Sequence, residues 1–233
     1  MKPRCQKQRN RALTLPELLV VIAILLFLAF FILPAYISDD RPYSRMACVS
    51  NLKQVNLSFR IWEGDNNNKY PMQLSVTNGG AMEWIATNDV AACFRVMSNE
   101  LSTTKILICP EDTVHTFAAT NFDNDFNNSR ISYFVGMDAD ENYPQRLLSG
   151  DDNFQINGNL IGSGVLSLST NTPLEWAPGR HGYDPNRHFW TPPPKHFVGN
   201  FGFADGSVTE DSDAGLTNAL QQTGLATNRL AIP

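Results

Sequence analysis

Three of the four histidines, side chains able to bind a metal or move a proton, fall in the last third of the chain. His181, His188, His196 and Asp205 fall within 25 residues, with Glu175 just ahead of them as a base. Their spacing matches no zinc-ligand pattern, and the chain holds no HExxH, no GxSxG and no Gly-rich phosphate loop. The histidines are interleaved with Pro185, Pro192, Pro193, Pro194 and Trp190, which reads as a ridged surface loop rather than a catalytic cleft. Hard oxygen ligands for Ca²⁺ are offered by Asp138, Asp140 and Glu141, and by Asp151 and Asp152. Their spacing is not that of an EF-hand, and acidic loops on an acidic domain are ordinarily just solvated. The reading is therefore not an enzyme, with Ca²⁺ the one cofactor these residues would take.

A different kind of chemistry sits at Glu17. From residue 18 to residue 33 every side chain is apolar, and counted from Leu13 the stretch is 21 residues, about 31 Å as a helix and about one bilayer core. A carboxylate at the edge of such a run is costly in lipid unless something pairs with it. Ahead of it, residues 1–12 carry Lys2, Arg4, Lys7, Arg9 and Arg11 and no acid. The formal charge of −5 thus hides an asymmetry, since the remainder holds 13 basic and 23 acidic residues. That acidic remainder gives no electrostatic footprint for nucleic acid. A basic stretch before an apolar one also describes a secretory signal peptide, but Pro34, Ala35, Tyr36 and Ile37 make a poor cleavage site of that kind.

The residues around Glu17, Ala12-Leu13-Thr14-Leu15-Pro16-Glu17, resemble the cleavage and methylation signature of type IV pilin-like proteins and type II secretion pseudopilins. Ala12 stands where the family usually has glycine, and Leu13 where phenylalanine is commoner. The resemblance implies cleavage between Ala12 and Leu13 by a prepilin peptidase and N-methylation of Leu13. It also implies that Glu17 pairs with the N-terminal amine of a neighbouring subunit during assembly, which supplies the missing partner for the charge. The segment CVSNLKQVNLSFRIWEGDNNNKYP, residues 48–71, resembles a subgroup of these proteins from planctomycete and verrucomicrobial-type bacteria. His196 followed by GNFGFADGSV resembles their C-terminal processing-associated segment of His, nine residues and Asp-Gly; here eight residues separate His196 from Asp205 and Gly206. Some major pseudopilins bind calcium near the C-terminus, which is why the resemblance adds interest to those acidic loops.

The elements that must carry these residues follow from periodicity. Cys48, Leu52, Val55, Phe59 and Trp62 recur at spacings of four and three, one stripe along a helix. Val49, Lys53, Asn56 and Arg60 are expected on faces left to water or to neighbours. Gly64 and the Asn/Asp run at 65–68 should stop that helix, Asn and Asp tolerating left-handed backbone. Pro34 should kink or thin the preceding apolar helix. Residues 105–109, 131–135 and 199–204 read as strands. Phe201 and Phe203 alternate onto one sheet face, and Asp205-Gly206 predicts a two-residue hairpin turn before Val208. Asp213 should cap a last helix carrying Leu216 and Leu220, with Gly224 as its stop. Four cysteines are too few for a disulfide framework; Cys93 with Cys109 could form one bridge outside the cytoplasm, and buried free thiols are the plain alternative.

The expected fold is α+β: a long N-terminal helix, membrane-spanning in its first half, packed on a small loop-rich antiparallel sheet domain. Its parts are a basic leader at 1–12, a transmembrane and assembly helix at 13–37, a soluble helical half with its exit loop at 38–69, and a globular domain at 70–233. The resemblance implies a structural subunit of a pilus or pseudopilus, held in the inner membrane with its C-terminal domain extracytoplasmic until assembly. Its partners would be the prepilin peptidase, the secretion or pilus assembly machinery and further copies of itself. The rival reading is a membrane-tethered binding or enzymatic domain that uses this N-terminus only for export.

Overall fold

The computed structural model describes residues 15–36, 41–177 and 197–233, with side chains of the first helix described as far as Ala29. The chain forms two compact units, residues 1–40 and 41–233.

The first unit contains α1, Leu15–Tyr36, a helix of 22 residues. Pro16 falls in its first turn, where a missing N–H costs nothing, and the helix continues through Pro34 to Tyr36. Among the described residues no helix is long and apolar enough to cross a membrane.

The second unit is a mixed helical and antiparallel-sheet domain, and α+β is its class. It opens with α2, Arg41–Asp65. All five residues of the stripe from Cys48 to Trp62 are buried, and the helix ends where the sequence predicted, with Asn67 and Asn68 both at φ 58°. Asn56 departs from expectation. It is fully buried, as is Glu63, because the sheet lies against this flank of the helix as well as the stripe.

After α2 come three short helices, α3 Met82–Ala86, α4 Val90–Val96 and α5 Ser98–Leu101, which the sequence did not announce. Asp89 caps α4 by accepting from Ala92 N at 2.9 Å. The strand expected at 105–109 is instead a 3-10 turn, Thr104–Leu107, started by the Thr103 hydroxyl accepting from Lys105 N. A short apolar run does not distinguish the two.

Nine strands follow among the described residues: β1 Tyr133–Gly136, β2 Leu147–Asp151, β3 Phe154–Ile156, β4 Asn159–Leu160, β5 Gly164–Ser169, β6 Leu174–Trp176, β7 Gly199–Phe203, β8 Val208–Asp211 and β9 Thr227–Ile232. Six form one antiparallel sheet in the order β5-β9-β1-β2-β7-β8, and β4-β3-β6 form a smaller one. α6, Asp213–Gln222, precedes β9. Successive residues of β1 go to different clusters. Tyr133 and Val135 join α2 and the short helices, while Phe134 joins Trp176, Phe201 and the α6 residues Leu216 and Leu220. A sheet covered on both faces explains why β1 and β2 are buried at every position.

Two further expectations are corrected. The bridge joins Cys48 to Cys109, Cα atoms 4.9 Å apart, and Cys93 is a free, buried thiol whose pKa burial pushes up. Ser212 occupies the N-cap position of α6; Asp213 is its first helical residue, and its Oδ1 accepts from Trp176 N at 2.6 Å.

Candidate functional site

Of the residues expected to govern processing, Ala12 and Leu13 lie outside the described residues, while Glu17 stands in the first turn of α1, exposed. An anion there is favoured by the partial positive charge of the helix N-terminus. Large apolar side chains surround it along the helix, from 44% exposed at Ile22 to 74% at Leu15. From Leu18 to Ala29 every side chain on the helix is apolar.

The two segments that carry the family resemblance beyond the N-terminus meet in the second unit. Asn56 of α2 takes a hydrogen bond from the Ser149 hydroxyl of β2 and donates through Nδ2 to the Ser207 carbonyl at 3.5 Å. A Cβ on Gly202 of β7 would stand 2.0 Å from that same Nδ2, so only glycine lets the helix flank come this close. One turn along, Arg60 donates to the Ala204 carbonyl at 3.1 Å, and the Tyr70 hydroxyl donates to the same oxygen at 2.6 Å. The β7–β8 hairpin is present, and Phe201 and Phe203 meet edge to face at 5.6 Å. Its loop has three residues rather than two: Phe203 N donates to the Ser207 carbonyl, and Gly206 N to the Phe203 carbonyl, both at 2.9 Å. Gly206 takes the left-handed φ of 87° that closes such a loop. Asp205 holds the turn by accepting from Ser207 N and Oγ at 2.8 and 2.6 Å. His196 lies outside the described residues, as do His181 and His188; Glu175 is exposed on β6, where it accepts from Gln155.

Beside this joint lies a carboxylate pair. Arg60 is 3.8 Å from Glu63 and 3.9 Å from Glu141. Burial, then the hydrogen bond and charge of Glu141, push the Glu63 carboxyl from 4.5 up to about 7. The other acids proposed for calcium serve protein contacts. Asp138 accepts from Arg229 N and Nε at 2.7 and 2.9 Å. Asp140 accepts from Asn142 and Gln73; against the cost of partial burial, those bonds and the Arg146 charge hold it below the usual carboxylate range. Asp151 is fully buried and takes two bonds from Asn200, at 2.7 and 2.9 Å, across the β2–β7 pair. Adjacent in sequence but differently used, Asp152 faces the loop after Cys109.

There it meets two residues that sequence reasoning did not single out. His115 Nδ1 is 2.9 Å from Asp112 Oδ2 and 3.6 Å from Asp152 Oδ2. The signal was local in part, Asp-Thr-Val-His at 112–115, but its third member, Asp152, comes just after β2. All three residues line a cavity of about 440 Å³, together with Asn153, Leu160 and Ala177.

No family model, no curated protein and no solved structure matches this chain.

Proposed function

We propose that the chain is the precursor of a filament subunit, of a type IV pilus-like or type II secretion pseudopilus assembly. A prepilin peptidase cuts between Ala12 and Leu13, Leu13 is N-methylated, and the mature subunit is held in the inner membrane until it polymerises. The observation that carries this reading is α1, whose large apolar side chains are exposed around a single carboxylate at the helix start. The membrane span rests on the sequence of residues 13–33. In a filament the apolar helices exchange lipid contacts for helix contacts, and Glu17 pairs with the N-terminal amine of the next subunit.

The remaining residues support the same assignment. The joint of α2 with the β7–β8 hairpin binds the two resembling segments together, which gives both a structural reason to exist in one subunit. The Cys48–Cys109 bridge suits an extracytoplasmic domain, because disulfides persist in oxidising compartments. The test is intact mass and N-terminal sequence of the full chain expressed with and without a prepilin peptidase. A peptidase-dependent N-terminus at Leu13 carrying a methyl group is expected; an intact Met1, or a cut after the apolar run, would replace this reading with an exported, tethered domain.

A further inference from the structure

We infer that Asp112, His115 and Asp152 form a binding site for one divalent transition-metal cation, Zn²⁺ first among them. This is independent of the N-terminal helix and of filament assembly.

The three ligand atoms lie within 4.8 Å of one another. Zinc bonds nitrogen and oxygen at about 2.0–2.2 Å, so atoms sharing one ion stand about 3–3.5 Å apart. The 2.9 and 3.6 Å separations around His115 Nδ1 bracket that spacing. The donors are also held in place before any ion arrives. Asp112 commits Oδ1 to Val114 N and His115 N at 2.8 and 3.1 Å, which turns Oδ2 toward the histidine. Its loop is tied down by Asp112 N donating to the carbonyl of Cys109, the bridged cysteine. Asp152 N donates to the Ser132 carbonyl, which fixes the opposite side. Preorganised ligands of this kind are what a metal site needs.

Burial argues in the same direction. The Asp112 side chain is 0% exposed, that of Asp152 8% and that of His115 13%, so an ion bound here would be largely shielded from water. A second observation points to a ligand. Asn153, which lines the same cavity, has a buried Oδ1 with no hydrogen-bond partner among the described residues. A water bound to the ion in that cavity would supply the donor this oxygen lacks. The imidazole selects the class of metal, since Ca²⁺ prefers all-oxygen shells while nitrogen suits Zn²⁺ and its neighbours. Among the described residues three side chains offer ligands, and a cavity water would suit a further position. The ion would clamp the loop after Cys109 to the end of β2.

The test uses the full chain in detergent, stripped of metal and titrated with Zn²⁺ against a chromophoric chelator. One equivalent should bind, and His115→Ala or Asp152→Asn should each weaken binding at least about tenfold, the loss that even an outer-shell change brings. X-ray absorption of the zinc-loaded wild type, which needs no variant to fold, should show a single imidazole with oxygen donors. Absence of stoichiometric binding, unchanged affinity in both variants, or a spectrum with two or more imidazoles would overturn the assignment.

Discussion

Replacing Gly202 by alanine tests the joint between α2 and the hairpin. The new Cβ would sit 2.0 Å from Asn56 Nδ2, 2.9 Å from its Cγ and 3.1 Å from the Ser207 carbonyl. Asn56 has nowhere to withdraw, since it is fully buried and bonded at both ends of its amide, to Ser149 and Ser207. Accommodating the methyl therefore breaks the two bonds or displaces the helix. Two hydrogen bonds at about 1 kcal/mol each, with about 1–3 kcal/mol for overpacking, give a loss of about 3–5 kcal/mol. For a domain of this size that lowers the melting temperature by about 6–20 °C, at about 2–4 °C per kcal/mol. The assay is thermal and urea unfolding of the full chain in detergent, for wild type, Gly202→Ala, Asn56→Ala and the double variant. Shortening Asn56 removes the atom that clashes, so the double variant should be more stable than the two single losses predict, by at least about 1 kcal/mol. A Gly202→Ala protein within about 0.5 kcal/mol of wild type, the range of an ordinary surface change, would refute the close approach, and so would strict additivity.

Reducing the bridge removes a closure of 61 residues, worth about 4 kcal/mol by loop entropy; peptide mapping without reductant should find Cys48 joined to Cys109 and Cys93 unmodified, and a Cys93–Cys109 peptide would contradict the fold. Glu63 predicts a pH dependence. Its folded carboxyl titrates at about 7 against 4.5 unfolded, so the folded state holds the extra proton and stability falls as pH rises from 4.5 through 7. Glu63→Gln should match wild type near pH 4.5 and exceed it above pH 7 in urea unfolding, and parallel profiles would show that the group does not titrate there.

The parts of this protein visible in its sequence are those governed by a period or a turn. The stripe from Cys48 to Trp62 gave a buried helix face, and Asp205-Gly206 gave the hairpin, because helix spacing and left-handed turn residues are local signals. Asn56, which the same local signal leaves to water or to neighbours, is buried. A polar residue beside the stripe carries no mark of the strand that covers it, and the mark lies instead in Gly202, nearly 150 residues later. The partner of Cys109 could not be read from spacing, since pairing is set by which segments the fold brings together. The run at 105–109 has the composition of a strand, but the Thr103 hydroxyl captures the Lys105 amide and starts a turn. Of the metal-site candidate only Asp112 and His115 are close in sequence; Asp152 joins them through the end of β2.

Filaments sheared from cells expressing this chain with a prepilin peptidase and its assembly machinery can be compared for wild type and Glu17→Ala. Wild type should appear in the sheared filament fraction with Leu13 at its N-terminus, while Glu17→Ala should stay in the membrane, because the neighbour's amine has lost its partner. Equal recovery of both in filaments would show that Glu17 does not direct assembly. Failure of the processed wild type to enter any filament would show that the chain is not a filament subunit.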